Sequence, residues 1–237
     1  METFQERPTE TIVPDAWRLG AVPVVLALAA LALGWGPVSL VFSGLTLFTL
    51  AFFRNPNRTI PGDERTVVAP ADGRVIEVGL IEDPEGRKAL RIGIFLSVFN
   101  VHVNRMPLAG RVESVERFGS RYLAAFDRRA EGENVRCSLQ LRTAAGEPFR
   151  VVQITGLIAR RIVCHPAVGD WVGRGVRYGL IRFGSRTDVV LPEAALARVT
   201  PGQRVRGGST ILAEMPGGVE APMGSETEAA PIGPGVA

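Results

Sequence analysis

Two patterns divide the chain. From Leu19 to Phe53 no residue is charged, and neither half of the stretch has a polar face when drawn as a helix. Arg18 and Arg54 bound it, and Gly34-Trp35-Gly36-Pro37 interrupts it. The halves, Leu19 to Leu33 and Val38 to Phe53, each fall short of the ~20 residues that span a bilayer comfortably. They predict either two short helices that enter and leave a membrane on one side, or two ordinary spans with slightly polar ends. A buried soluble helix pair would not need both halves apolar all round. The segment before Leu19 is long and acidic for a signal peptide and lacks a small-residue cleavage site. Arg7 and Arg18 precede the stretch, and Arg54, Arg58 and Arg65 follow it. The positive-inside rule therefore puts both flanks in the cytosol.

After Arg54 the period changes. Short Val- and Ile-rich runs alternate with Gly, Pro and Asp turns: Val67-Val68, Val75 to Val78, Leu90 to Val98, Val112 to Val115, Val135 to Leu141, Phe149 to Ile154 and Tyr178 to Phe183. This spacing predicts a mainly β domain, a compact sandwich or barrel. Helical pattern is confined to about Ser120 to Arg129. Three turn segments look alike: Ala69 to Val75, Val168 to Val172 and Pro201 to Val205. They resemble the hairpin turns of biotinyl/lipoyl-like barrels built on a duplicated hybrid motif. From residue 214 the chain is Gly-, Pro-, Ala- and Glu-rich, a composition that predicts disorder. The expected organisation is a polar segment 1–18, a membrane-associated hairpin 19–53, a catalytic domain 54–213 complete in its own site, and a tail 214–237.

Composition removes several chemistries. The formal charge of +3 is modest, and no nucleic-acid partner is expected. Lys88 is the single lysine and sits in a turn-like string, a poor setting for a pyridoxal Schiff base or a lipoyl carrier. With two histidines and no Cys/His cluster, no metal site is expected. Two cysteines are too few for a disulfide framework, which points to a reducing compartment.

What remains is the serine of a Gly-Ser pair. A serine hydroxyl can attack the preceding carbonyl, and β-elimination of the resulting ester leaves a pyruvoyl group, an electrophile made from the chain itself. There are four such pairs: Gly119-Ser120, Gly184-Ser185, Gly208-Ser209 and Gly224-Ser225. Each alone reads as a turn. Gly184-Ser185 falls between two strand-like runs. A nucleophilic serine needs a base, itself oriented. His102 ends a strongly apolar run, His165 precedes a proline at a turn, and Asp72 sits in an Ala-Asp-Gly turn.

The strings Phe52-Phe53-Arg54-Asn55-Pro56, Pro70-Ala71-Asp72-Gly73, Phe95-Leu96-Ser97, Val101-His102-Val103-Asn104-Arg105-Met106-Pro107 and Phe183-Gly184-Ser185 occur in this order. In order and spacing the chain resembles the short bacterial and archaeal form of the phosphatidylserine decarboxylase family, from about Phe52 to Ala213 and including the preceding hairpin. The resemblance selects Gly184-Ser185 as the cleavage site. It implies that Ser185 is the nucleophile and becomes the covalent pyruvoyl cofactor, that His102 is its base, and that Asp72 orients His102. It implies a phosphatidylserine substrate, a heterodimer of chains 1–184 and 185–237 cut from one precursor, and a place on the cytoplasmic side of the inner membrane. Whether the chain also forms a homo-oligomer stays open. Two departures stand out. The longer form has Leu-Gly-Ser-Thr where this chain has Phe183-Gly184-Ser185-Arg186, and a second histidine where Arg105 stands. Arg105 is left as a candidate for holding the substrate's phosphate or carboxylate. Two alternatives compete: a membrane-anchored lipoyl-like barrel acting as a non-catalytic adaptor, and a pyruvoyl decarboxylase of another amino acid.

Overall fold

A glycine turn folds the apolar stretch back on itself. Helix α1 (Asp15–Ala32) ends before Gly34, whose φ is +76°, and α2 (Gly36–Phe52) starts with Pro37 in its first turn, where the missing N–H costs nothing. The inner face of α1 is Ala16, Gly20, Pro23, Ala27 and Ala30, small residues at helical spacing that let α2 approach closely. The Ser39 hydroxyl donates to the Ala27 carbonyl at 2.9 Å and ties the pair together. Val22, Val25, Leu28, Leu40, Val41 and Leu47 point outward and are exposed. At 1.5 Å per residue the helices are about 27 and 26 Å long, under the ~30 Å of a hydrocarbon core. No helix of the described residues is long and apolar enough to cross a membrane, so the two-span version of the expectation is not met.

The computed structural model describes residues 15–216 apart from 84, 85, 128, 158–160, 182 and 183. The N-terminal segment to residue 14, the tail from 217, and the Arg182-Phe183 part of the cleavage string lie outside the described residues.

The rest is mainly β, as the Val/Ile runs predict. The elements are β1 (Thr66–Val68), β2 (Gly73–Glu82), β3 (Lys88–Leu96), β4 (Val103–Arg105), β5 (Gly110–Phe118), α3 (Ala130–Glu133), β6 (Arg136–Arg142), β7 (Pro148–Ile154), β8 (Ile162–Cys164), β9 (Trp171–Val172), β10 (Arg177–Ile181), β11 (Ser185–Pro192), β12 (Leu196–Ala197), β13 (Arg204–Val205) and β14 (Ile211–Glu214). An eight-stranded sheet runs β13-β2-β3-β11-β7-β6-β5-β9, beside two three-stranded sheets, β1-β14-β12 and β4-β10-β8. Alternate residues, Ile92, Ile94 and Leu96 on β3, Leu139 and Leu141 on β6, Val189 and Leu191 on β11, fill one core, as the two-residue strand period requires.

A repeat organises the sheets. Ala69-Pro70-Ala71-Asp72-Gly73-Arg74-Val75 matches Met106-Pro107-Leu108-Ala109-Gly110-Arg111-Val112, and the two copies cross. The Val68 N–H donates to the Pro107 carbonyl (3.0 Å), and the Arg105 N–H to the Pro70 carbonyl (2.8 Å). Each copy then receives one of the look-alike turns. Val75 exchanges hydrogen bonds with Gly202 and Gln203, and Val112 with Gly169 and Asp170. Gly169 and Gly202 hold φ near +95° and +92°, which those turns require of a residue without a Cβ. Both edges of the large sheet are thus closed by the same device, and Asp72 occupies the position that Ala109 fills in the other copy.

Two expectations change. No helix forms among the described residues of 121–129. Asn134 pins Leu123 instead, its Oδ1 accepting from the Leu123 N–H (2.7 Å) and its Nδ2 donating to the Leu123 carbonyl (2.9 Å), which draws the segment out alongside Asn134. The domain also runs past residue 213, since Glu214 ends β14 and Met215 is buried.

A Cβ built on Gly73 would sit 2.3 Å from the Phe95 carbonyl oxygen, whereas one on Gly79 of the same strand meets nothing within 4 Å. Gly73→Ala should therefore cost about 1–3 kcal/mol, and Gly79→Ala should stay within ~0.5 kcal/mol of the parent. Denaturant unfolding of the two variants checks this, and equal midpoints would refute the close packing.

Candidate active site

Gly184 and Ser185 start the central strand of the large sheet. The pair is not simply a turn, because Ser185 already belongs to β11, opposite Leu96 of β3. Gly184, with φ of +64°, makes the bend into it, a conformation in which other residues are strained. Ser185 is fully buried, and its Oγ has no hydrogen-bond partner. A buried hydroxyl left unpartnered is costly in a folded protein and calls for an explanation.

His102 lies at the same end of β11. The chain leaves β3 at Leu96, Ser185's partner, and turns through 97–101 to reach it. The turn is fixed by Asn100, whose Oδ1 accepts from the Ser97 N–H (2.9 Å) and hydroxyl (2.8 Å). The His102 carbonyl accepts from the N–H of Ile181 at 3.4 Å, at the end of the strand that leads to Gly184. His102 is thereby joined to the end of β10, three residues before Gly184. The imidazole is fully buried, and the polar group it meets is the Asn100 backbone. Burial pushes it down to about 4; the Asn100 backbone opposes this, and the Arg54 charge adds to it. At neutral pH the ring is thus uncharged and able to accept a proton.

The hairpin forms part of this site. The Phe52 ring, at the last residue of α2, stacks on the His102 imidazole with centroids 4.0 Å apart and planes 29° apart. Phe52, Phe53 and Ala16 form a second apolar cluster with Val101, Val103 and Leu180. Arg54 fixes the junction by donating to the Ala51 (2.6 Å) and Phe99 (2.7 Å) carbonyls. The expected domain boundary between 53 and 54 passes through this cluster.

Asp72 and His102 are not brought together. The Asp72 carboxylate accepts from Arg58 (3.0 and 3.3 Å) and from the Gly207 N–H (2.8 Å). The carboxylate is engaged there, and the expected bond to the imidazole is not formed. Arg105 is also engaged. Its guanidinium donates to the Gly175 carbonyl (3.2 Å), the Pro56 carbonyl (2.8 Å) and Asn55 Oδ1 (3.4 Å), tying the segment after the hairpin to the domain. At 6% exposure it is buried rather than open to a ligand. His165 is exposed, and its N–H donates to the Tyr178 carbonyl at 3.0 Å.

Two residues at the site went unread in the sequence. Gly156, just beyond β7, faces the bond between Gly184 and Ser185: a Cβ there would lie 2.1 Å from the Gly184 carbonyl oxygen. A glycine directly after a strand is its only signal. Arg186 is buried beside Ser185, although arginine in a sequence reads as a surface residue. Lys88, by contrast, is eight residues from Leu96 at the far end of β3, ~26 Å away along the strand. A depression of about 170 Å³ lies at that same far end, lined among others by Asp83, Lys88 and Glu193. Among the described residues no group of three or more His, Cys, Asp or Glu could hold a metal ion.

The chain is similar in sequence to known proteins. The sequence profile described as phosphatidylserine decarboxylase matches residues 45–213. The phosphatidylserine decarboxylase proenzyme of Geotalea uraniireducens (strain Rf4) is 50% identical over 200 residues, covering 83% of this chain and 91% of that protein. Those of Cupriavidus pinatubonensis (strain JMP 134 / LMG 1197) and Burkholderia pseudomallei (strain 1106a) are 46% and 44% identical over 212 and 210 residues, each covering 88% of this chain and 97% of the relative. The profile spans the last two turns of the hairpin's second helix, the crossed repeat and β11 together, and on that breadth of agreement the chain belongs to the phosphatidylserine decarboxylase family.

Proposed function

We propose that the chain cuts itself between Gly184 and Ser185 and, with the pyruvoyl group so formed, decarboxylates phosphatidylserine to phosphatidylethanolamine at the cytoplasmic face of the inner membrane. The observation that carries this reading is a buried, unpartnered serine hydroxyl next to a glycine bend, with a buried neutral imidazole on the neighbouring loop. An adaptor without catalysis has no support left in an enzyme family.

His102 takes the Ser185 proton as Oγ bonds to the Gly184 carbonyl carbon and the Gly184–Ser185 C–N bond breaks, leaving an ester. Removal of the residue-185 α-proton expels Gly184 as a carboxylate, and water then replaces the residue-185 nitrogen, which leaves as ammonia. Gly156 leaves room for the reacting carbonyl. A pyruvoyl chain end built by this route fits the residues present, because the Ser185 hydroxyl is unpartnered and the only lysine is remote. The pyruvoyl group would supply the electron sink that loss of CO2 from an amino acid requires. His102, free once the cut is made, is then placed to hold or return a proton at the substrate. Asp72 acts on His102 in this reading only after exchanging Arg58. The exposed apolar faces of α1 and α2 have the character of a surface that meets lipid, and Phe52 joins that surface to His102.

Intact mass of the purified protein tests the cleavage directly. Two chains, 1–184 and 185–237, are expected, and Ser185→Ala should remain one. A cut at Gly119 would show that the wrong pair was chosen.

The base has its own signature. His102→Ala should slow cutting by about 10²–10⁴-fold, while His165→Ala should cut normally. Because the imidazole works only when neutral, the rate should rise with pH through about 4 and be flat from there to neutrality. Phe52→Ala admits water, so the acid limb should move up toward the ordinary histidine value of about 6.5. An unmoved limb in Phe52→Ala would remove the imidazole as the titrating base. Asp72→Asn should cut at the parental rate if the Arg58 pairing persists, and a loss comparable to His102→Ala would establish the exchange.

Gly156→Ala places a methyl group against the Gly184 carbonyl. Cutting should fall at least ~10-fold, as expected of a displaced reacting group. A fully processed Gly156→Ala protein on a denaturing gel would rule this contact out.

A further inference from the structure

Cleavage turns the first residue of β11 into a chain end, and chain ends fray unless tied down. The electrophile would sit on that end, so something must hold it in place. The ladder holds the strand on both sides: Arg186 pairs with Phe95 of β3 and Ile154 of β7. Beyond the backbone, Arg186 is itself anchored. Successive strand residues point to opposite faces, so its side chain leaves from the face opposite Ser185. There it is 4% exposed, its Nε donating to Asp188 Oδ1 at 2.6 Å and one terminal nitrogen to Glu77 Oε2 at 2.8 Å. The second Glu77 oxygen accepts from Arg91. The four charges thus link β2, β3 and β11. Gly93 of β3 makes the space, since a Cβ there would lie 2.9 Å from the Arg186 guanidinium and 3.1 Å from Asp188 Oδ1. Arginine's planar fork holds two carboxylates at once in a fixed direction, which a lysine or threonine at this position cannot do.

We propose that Arg186 is a positioning residue for the mature site: its buried grip on Asp188 and Glu77 keeps the new N-terminus of the small chain in register, and so keeps the residue-185 carbonyl on the inner face. The inference rests on the self-cleavage reading and deepens it. Arg186 acts after the cut. Before it, the covalent bond to Gly184 does the same work.

Hydrogen exchange separates the two states. Exchange of the first amides of β11 is followed by mass spectrometry in the processed chain and in the uncut Ser185→Ala chain, each with and without Arg186→Gln. In the uncut chain the substitution should leave exchange nearly unchanged. In the processed chain it should speed exchange at least ~10-fold, the opening of a strand end. Glu77→Gln, which keeps the Arg186–Asp188 pair, should show the same contrast more weakly and serves if Arg186→Gln does not fold. In steady state kcat should fall with KM little changed. Equal acceleration in cut and uncut chains would make Arg186 an ordinary structural residue and overturn the proposal, as would no acceleration in the cut chain. Loss of cutting in Arg186→Gln would move its role to the cleavage step and overturn it too. A wild-type chain that stays in one piece sinks the cleavage reading itself, a different result from any of these.

Discussion

Everything at the site depends on one strand being hydrogen-bonded along both edges. β11 pairs with β3 from Ser185 to Pro192 and with β7 from Arg186 to Val190. A strand at a sheet's edge has one set of partners, and a break at its start would let it peel away. A strand in the middle has two, and from Arg186 onward β11 is held on both sides. The bend at Gly184 sets its carbonyl against Gly156, whose missing Cβ leaves room for it. Under the proposed cleavage, this pairing and the Arg186 side chain would together hold the strand once the bond before it is gone.

The second dependence is on the hairpin. An imidazole fully buried beneath the Phe52 ring is cut off from water, and that desolvation is what lowers its proton affinity. The apolar segment therefore has two roles that its sequence presents as one. Its outer faces are exposed, and its last turn is core.

This also explains what could be read from the sequence. The long strands were legible as Val/Ile runs, because burial on one face imposes a two-residue period, but β2 and β5 extend well beyond the runs that marked them, and the short β4, β8, β12 and β14 were not marked. Ser185 and His102 were singled out as candidates by their neighbouring strings, and the apolar helices were legible through their lack of charge. Contacts between distant segments were not. Nothing in Phe52 announces a histidine fifty residues away, and nothing in Asp72 announces that Arg58 holds it. The helical pattern of Ser120 to Arg129 was overridden by Asn134, whose side-chain hydrogen bonds to Leu123 compete with a helix. Arg186 misled for a related reason: a charge reads as surface until its partners, Glu77 and Asp188, are known to be buried beside it. The crossed repeat was half legible, since its look-alike turns were visible but the match of 69–75 to 106–112 was not recognised.

The placement of the later strands has a further consequence. Residues beyond 184 supply β11 at the centre of the large sheet, β13 at its β2 edge, and β14 between β1 and β12. Two polypeptides cut at that point would be interlaced in two sheets, each lacking strands that only the other has. They met as one molecule, with the encounter between their segments set by a tether. After unfolding, the same assembly becomes a second-order reaction between fragments that expose apolar strands, in competition with aggregation. Such a protein would persist because it unfolds slowly, and its melting would be one-way. The precursor would be the species that knows how to fold, and the working enzyme a product that cannot easily be remade from its parts.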